Sequence, residues 1–240
     1  MSSHTLPFTP PPRNARVRVI GSFDELVSTR FGGDVNALCW PRTLVGNFSE
    51  IVERIGPIDE ITTLDDESLH ALQLSAAGCL ARDIVLQDQR LLRESGLSPI
   101  LDCIPAYPRD PDAGPVPIDV YSYHADSATA EADTYLCSYT VAASEGLLNE
   151  EAIRRVDVPA TRAELLKVYG GQDDADFLVY LNENCFDLHY AARAGARPYN
   201  FGLGNLWRIT TQHPGCPVPP CVHRAPMTSP GQPPRLLMIS

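Results

Sequence analysis

The second half of the chain breaks into short strand-like runs, none long enough to cover a core alone, and this constrains the fold more than any other feature. The runs are PIDVYSYHAD (117–126), DTYLCSYTVA (133–142), NLWRITT (205–211), PCVHRA (220–225) and RLLMIS (235–240), separated by turn-rich segments. FLVYL (177–181) reads as a strand or a helix. Short strands of this kind bury their apolar faces by packing as a sandwich or curling into a small barrel. Before them, PAYPRDPDAGPVP (105–117) has the Pro, Gly and Asp content of a connector and marks the main boundary, between a helix-rich part at 15–104 and the strand-rich part at 117–240. Both belong to one expected domain, 15–240, behind a Pro-rich leader at 1–14 expected to be disordered.

In the first part, ARVRVIG (15–21) reads as a strand, and SFDELVSTRF (22–31) as a short helix opened by Ser22 and Asp24. VNALCW (35–40) is a strand ended by Pro41, and Asn47 to Ile55 a further helix. From Asp65 to Glu94, Leu69, Leu72, Ala76, Leu80, Ile84 and Leu91 recur at near-helical spacing, with Gly78 expected to interrupt them. The class is therefore α+β.

Thirty acidic against nineteen basic residues give a net charge of −11. Phosphate backbones need a concentrated basic surface, so a nucleic-acid partner is not expected. No apolar stretch approaches a membrane span, and the N-terminus lacks the apolar segment of an export signal, so a cytoplasmic protein without membrane contact is expected. Seven scattered cysteines, an odd number, do not resemble a disulfide framework. The sequence carries no reading of the oligomeric state.

The chemistry-bearing pattern begins with His124 and Asp126. Side chains alternate along a strand, so these two share a face and can reach one metal ion. A third ligand has to arrive from a distant segment folded opposite, and His223 in PCVHRA is the best placed. Two imidazoles and a carboxylate form the facial set that holds non-haem Fe(II) with positions left open. Arg235 follows at the start of the next strand, its planar guanidinium suited to a bidentate carboxylate.

The order His124, Asp126, His223, Arg235 resembles that of the Fe(II)/2-oxoglutarate-dependent oxygenases. The blocks ALCWPR, YHADSATAEADTYLCSYTVAASEGLLNEEAIRRVD, HRAP and PRLLMIS also resemble those of a bacterial domain family of unknown function. The first resemblance implies a double-stranded β-helix, a jelly-roll or cupin-like barrel, in the C-terminal half, flanked by the N-terminal helices. It implies Fe(II) on His124, Asp126 and His223, and 2-oxoglutarate as cosubstrate on Arg235, with a strand tyrosine such as Tyr139 adding a phenol. The activity implied is a dioxygenase that uses O2 to oxidise a small molecule, most simply by hydroxylation. Asp126 occupies the position that halogenating relatives leave for chloride, which disfavours chlorination.

Rival readings come from the same residues. His213, Cys216, Cys221 and His223 could close a structural zinc site and withdraw His223 from the iron set. A cupin-like zinc- or iron-binding protein of metal homeostasis, without turnover, is the alternative function, and a catalytically silent interaction barrel is another. His189, near Asp187, Tyr190 and Arg193, reads as a pocket residue or a solvated loop. Arg235 alone could be half of a surface ion pair.

Overall fold

The structure, a computed structural model, describes residues 5–109, 114–229 and 231–240. The first part forms β1 (Val17–Val19), α1 (Phe23–Ser28), β2 (Ala37–Trp40), α2 (Phe48–Ile55), β3 (Thr62–Thr63), α3 (Asp66–Ala71), α4 (Ala76–Glu94) and β4 (Ile100–Ile104). The second forms β5 (Tyr123–His124), β6 (Asp133–Ser138), β7 (Glu145–Leu147), β8 (Ala152–Arg154), α5 (Pro159–Tyr169), α6 (Ala175–Glu183), β9 (His189–Ala192), β10 (Tyr199–Asn200), β11 (Leu206–Thr210), β12 (Val222–Arg224) and β13 (Arg235–Ile239). Ser22, Asn47, Asp65, Ser75 and Asp174 each accept a hydrogen bond from a first-turn amide of α1, α2, α3, α4 and α6 respectively, which fixes where those helices begin.

Two mostly antiparallel sheets curl into a half-barrel. The larger runs β1-β2-β11-β6-β13-β4-β3, with β1 and β2 its one parallel pair; the smaller runs β10-β7-β12-β5-β9-β8 and is antiparallel throughout. Period-two alternation sorts the side chains of the large sheet. Tyr135, Cys137 and Tyr139 of the β6 segment, with Leu236 and Met238 of β13, join Leu26, Phe48, Ile51, Val85 and Leu92 in a core beneath the helices. Leu136, Trp207, Ile209 and Leu237 point the other way and meet Phe201 and Cys221 between the sheets. Each fully buried aliphatic or aromatic side chain contributes about 1.5–3 kcal/mol. Outside the small sheet, Phe177 and Leu181 of α6 pack with Leu165 of α5.

Several expectations change. The sheets are not confined to 117–240: β2 pairs with β11 and β4 with β13, so strands from before the connector complete the large sheet. FLVYL lies in helix α6, because Asp174 caps the amides of Asp176 and Phe177. The long helical stretch breaks at Leu72–Ser75 and not at Gly78, which sits in the first turn of α4, where a Cβ would meet the Glu50 carboxylate at 2.5 Å. The strand expected over 117–126 shrinks to Tyr123–His124, since Asp119 Oδ1 accepts from the amides of Tyr121 and Ser122 and turns the chain beforehand.

Residues 1–4 of the expected disordered leader lie outside the described residues; 5–14 are docked, with the Leu6 amide on the Leu44 carbonyl and Asn205 Nδ2 donating to the Thr9 carbonyl. Among the described residues no helix is long and apolar enough to cross a membrane.

Candidate metal site

In the small sheet, β5 lies between β12 and β9, and the register sets His223 opposite His124 and His124 opposite His189. Three imidazoles therefore form one row across the sheet. Tyr123, Tyr190 and Val222, the neighbours in sequence, pack together on the outer face. The row faces the large sheet: the ring of Phe201, part of the core between the sheets, lies 6.4 Å from that of His223.

Asp126 follows β5 and is fastened from two sides. Its carbonyl accepts the Gln212 amide at 2.7 Å, and its Oδ2 accepts the Thr134 hydroxyl of β6 at 2.5 Å. Asp126 thus reaches from the small sheet to a residue of the large one.

His124 Nε2 lies 3.8 Å from Asp126 Oδ1, and His223 Nε2 lies 3.8 Å from Asp126 Oδ2. One ligand atom from each of the three residues falls within 4.8 Å of the others. Donors about 2.1 Å from one ion sit roughly 3.0–3.6 Å apart at angles of 90–120°, so for an ion to bind, the widest spacing of the set, up to 4.8 Å, has to close by about 1 Å or more. His124 Nδ1 donates to the Ser122 carbonyl at 2.9 Å, and His223 Nδ1 faces the Cys221 carbonyl at 3.4 Å. Both rings are tied through Nδ1, which leaves Nε2 as the free lone pair and is the ordinary way a protein orients metal-binding histidines.

Electrostatics favour the same state. Burial, reinforced by His223, brings the His124 pKa down to about 4, so the ring is neutral near pH 7. Burial alone would raise Asp126, but His223, the Thr134 hydrogen bond and His124 together hold it below the usual carboxylate range. A neutral imidazole and an ionised carboxylate are the forms that ligate a metal.

Arg235 points into the space between the sheets at only 5% exposure. Its Nη2 donates to Ser138 Oγ at 2.7 Å and Ser144 Oγ at 2.9 Å, while its Nε is buried without a partner. No carboxylate pairs with it among the described residues, so it is not half of an ion pair. Burial pushes its pKa below the usual arginine range, and the Tyr107 phenol beside it opposes that. Ser144 connects this cradle to the histidines: its carbonyl accepts the Phe201 amide, and two residues on, Gly146 pairs with His223.

The structure brings His124, Asp126 and His223 together but leaves Tyr139 out. Tyr139, just after β6, lies on the helix side, fully buried, and donates to Asp88 Oδ2 at 2.6 Å, so the expectation that it touches a cosubstrate is corrected. The rival zinc set is not assembled either: among the described residues, His124, Asp126 and His223 are the one group of three or more such side chains close enough to share an ion. Cys221 lies in the apolar inter-sheet core, where burial pushes its thiol up to about 12. Cys216 donates to the Val218 carbonyl, and His213 Nδ1 faces the Pro214 carbonyl.

His189 is buried in the row, with Nδ1 3.0 Å from Ser122 Oγ. Thr134, Ser138 and Ser144 were missed from sequence. A signal existed for the first two, small polar residues flanking Leu136 on one face of a strand whose other face carries Tyr135 and Cys137.

Comparison of the chain with protein-family models, with curated proteins and with solved structures finds no match in any of the three.

Proposed function

We propose that the protein is an Fe(II)- and 2-oxoglutarate-dependent oxygenase on a double-stranded β-helix framework, oxidising a small molecule, most simply by hydroxylation. One observation carries the reading. Two histidines with free Nε2 atoms converge on one carboxylate, and a buried guanidinium without an acidic partner among the described residues lies between the same two sheets. A metal-storage or structural-zinc protein has no use for the second half of that arrangement, because a buried cation is costly unless an anion neutralises it.

His124, Asp126 and His223 would hold the iron, and Thr134 keeps Asp126 turned toward the imidazoles by engaging its Oδ2. Arg235 would take the far carboxylate of 2-oxoglutarate, with the Ser138 and Ser144 hydroxyls fixing the guanidinium plane. When bound, the iron and cosubstrate supply, with O2, the oxidising equivalent for the substrate. The protein orients the partners and keeps water from them, and burial of His223 and Arg235 serves that end. Beside Asp126, a cleft of about 650 Å³ lined by Ser127, Thr129, Asn182, Leu188, Gln212 and His213, of mixed polar and apolar character and with no aspartate, glutamate, lysine or arginine in its lining, offers a substrate entrance.

Anaerobic addition of Fe(II) and then 2-oxoglutarate should raise a weak visible charge-transfer band in the native protein. The band is expected to vanish in His124→Ala and Asp126→Ala. Tight metal binding with no band, and no effect of 2-oxoglutarate on the metal's spectrum, would overturn the reading in favour of a metal-binding protein without turnover.

A further inference from the structure

The outer face of the small sheet, turned away from the histidine row, carries a separate cleft of about 480 Å³. Arg109, Tyr121, Tyr123, Arg155, Tyr190 and Arg224 line it. Three guanidinium groups around one cleft stand out in a chain of net charge −11 with nineteen basic residues.

Their partners are unequal. Arg224 is occupied: its Nε and Nη2 both donate to Glu145 Oε2, and it lies 4.5 Å over the Tyr123 ring. Arg109 lies 4.2 Å over the Tyr121 ring, and among the described residues its side chain finds only the Met227 sulfur, at 3.7 Å. Arg155 makes no side-chain hydrogen bond and no ion pair among the described residues, and its Nε is enclosed without a partner. The Tyr123 hydroxyl is likewise enclosed and unpartnered, on a residue only 7% exposed. Asp119, the one acid in the lining, already engages two backbone amides through its Oδ1.

Two guanidiniums and a phenol supply donors with no matching acceptor among the described residues. Two of these donors, Arg155 Nε and the Tyr123 hydroxyl, are enclosed, and an enclosed donor left unmade costs about 1–3 kcal/mol, more when charged, so a ligand that completes them is favoured; Arg109 is exposed and adds charge at the mouth. The missing acceptor is an oxyanion, which guanidinium binds through paired charge-assisted hydrogen bonds. The rings of Tyr121 and Tyr190 give the same cleft apolar walls.

We propose that this cleft binds a small molecule carrying a carboxylate or phosphoryl group, with Arg155 as the principal contact and Arg109 and the Tyr123 hydroxyl as supporting donors. This site shares no side chain with the metal ligands or with the Arg235 cradle.

The test is calorimetric titration of the full-length protein, without added metal, with inorganic phosphate and separately with benzoate. Saturable binding of phosphate identifies a phosphoryl ligand, and of benzoate a carboxylate on a flat body; either supports the site. Arg155→Gln should weaken binding at least about tenfold, as expected for loss of a charge-assisted pair. Arg109→Gln, at an exposed position where folding is not at stake, should weaken it by a smaller factor, and Arg235→Met should bind as the native protein does. Failure of both probes up to about 10 mM, a range weaker than ordinary metabolite sites, overturns the proposal. So does binding untouched by both Arg155→Gln and Arg109→Gln, or binding abolished by Arg235→Met.

Discussion

Replacing Arg235 with methionine separates a residue kept for a ligand from one kept for the fold. The guanidinium donates two hydrogen bonds, to Ser138 at 2.7 Å and Ser144 at 2.9 Å. Bonds from a charged donor contribute about 1.5–3 kcal/mol each, so removing both costs roughly 3–6 kcal/mol. Against this stands the desolvation of a 5% exposed cation with no carboxylate among the described residues, itself several kcal/mol, which the substitution relieves. Methionine fills much of the same volume with an adaptable chain. The two sides nearly cancel, so the ligand-free Arg235→Met variant should lie within about 2 kcal/mol of the native protein. At about 2–4 °C per kcal/mol for a domain of this size, its midpoint moves by less than about 8 °C, in either direction. With Mn(II) as a redox-inert metal and 2-oxoglutarate at about 100 times Kd, the native protein gains about 2.7 kcal/mol, or roughly 5–11 °C. The variant should gain nothing from 2-oxoglutarate. Thermal melts of both proteins with and without 2-oxoglutarate decide the matter. A ligand-free variant melting more than about 15 °C lower would make Arg235 a structural clamp of the 139–144 turn, and a retained 2-oxoglutarate shift would remove it from the cosubstrate site.

Thr134→Val deletes the hydroxyl that holds Asp126 Oδ2 and should weaken metal binding about 10–100-fold in competition with a chelating dye; unchanged affinity would take Thr134 out of the site. Burial, followed by His223 for His124 and by Arg155 for His189, lowers both pKa values from 6.5 to about 4, so the unfolded chain takes up protons in a window where the native rings stay neutral. Metal-free stability should therefore be fully present above the ordinary histidine pKa and fall as pH drops from about 6.5 toward 4. His189→Asn should flatten that slope in melts across the range, and a slope unchanged by it would contradict the assignment. Gly146→Ala would place a Cβ 2.2 Å from the Tyr199 ring, which stacks on Phe201 and Trp207. Overpacking of this kind costs about 1–3 kcal/mol in urea denaturation, and because Gly146 pairs with His223 it should also lower metal affinity.

What could be read from sequence was local. His124 and Asp126 are two residues apart, and the structure brings them to one point, although the strand geometry used to argue it holds only for Tyr123–His124. Asp126 reaches the site through a carbonyl bond to Gln212 and a hydroxyl bond from Thr134, neither of which leaves a local pattern. Helix starts were legible for the same reason in reverse: Ser22 and Asn47 act within one turn of their own positions. Register was not legible. That His189 falls beside His124, or that β4 seals β13, depends on which distant strands pair, and short runs of similar residues do not encode that individually. Tyr139 went astray because the face of β6 that looks inward is set by the helices packed on Tyr135 and Cys137, not by anything within the strand.

The same cross-strand register explains why one sheet can carry two sites. A histidine on each of β12, β5 and β9 is followed or preceded by a large outward residue: Arg224 after His223, Tyr123 before His124, Tyr190 after His189. Period-two alternation therefore builds the inner histidine row and the outer Arg and Tyr cleft from the same three strands, at one sheet's thickness from each other. Ser122 stands where they meet, lining the outer cleft while its hydroxyl lies 3.0 Å from His189 Nδ1. An anion drawn to Arg155 would bear on the hydrogen bond that orients His189, and through the paired strands on His124, so occupancy of the outer cleft and metal affinity should be thermodynamically linked in both directions.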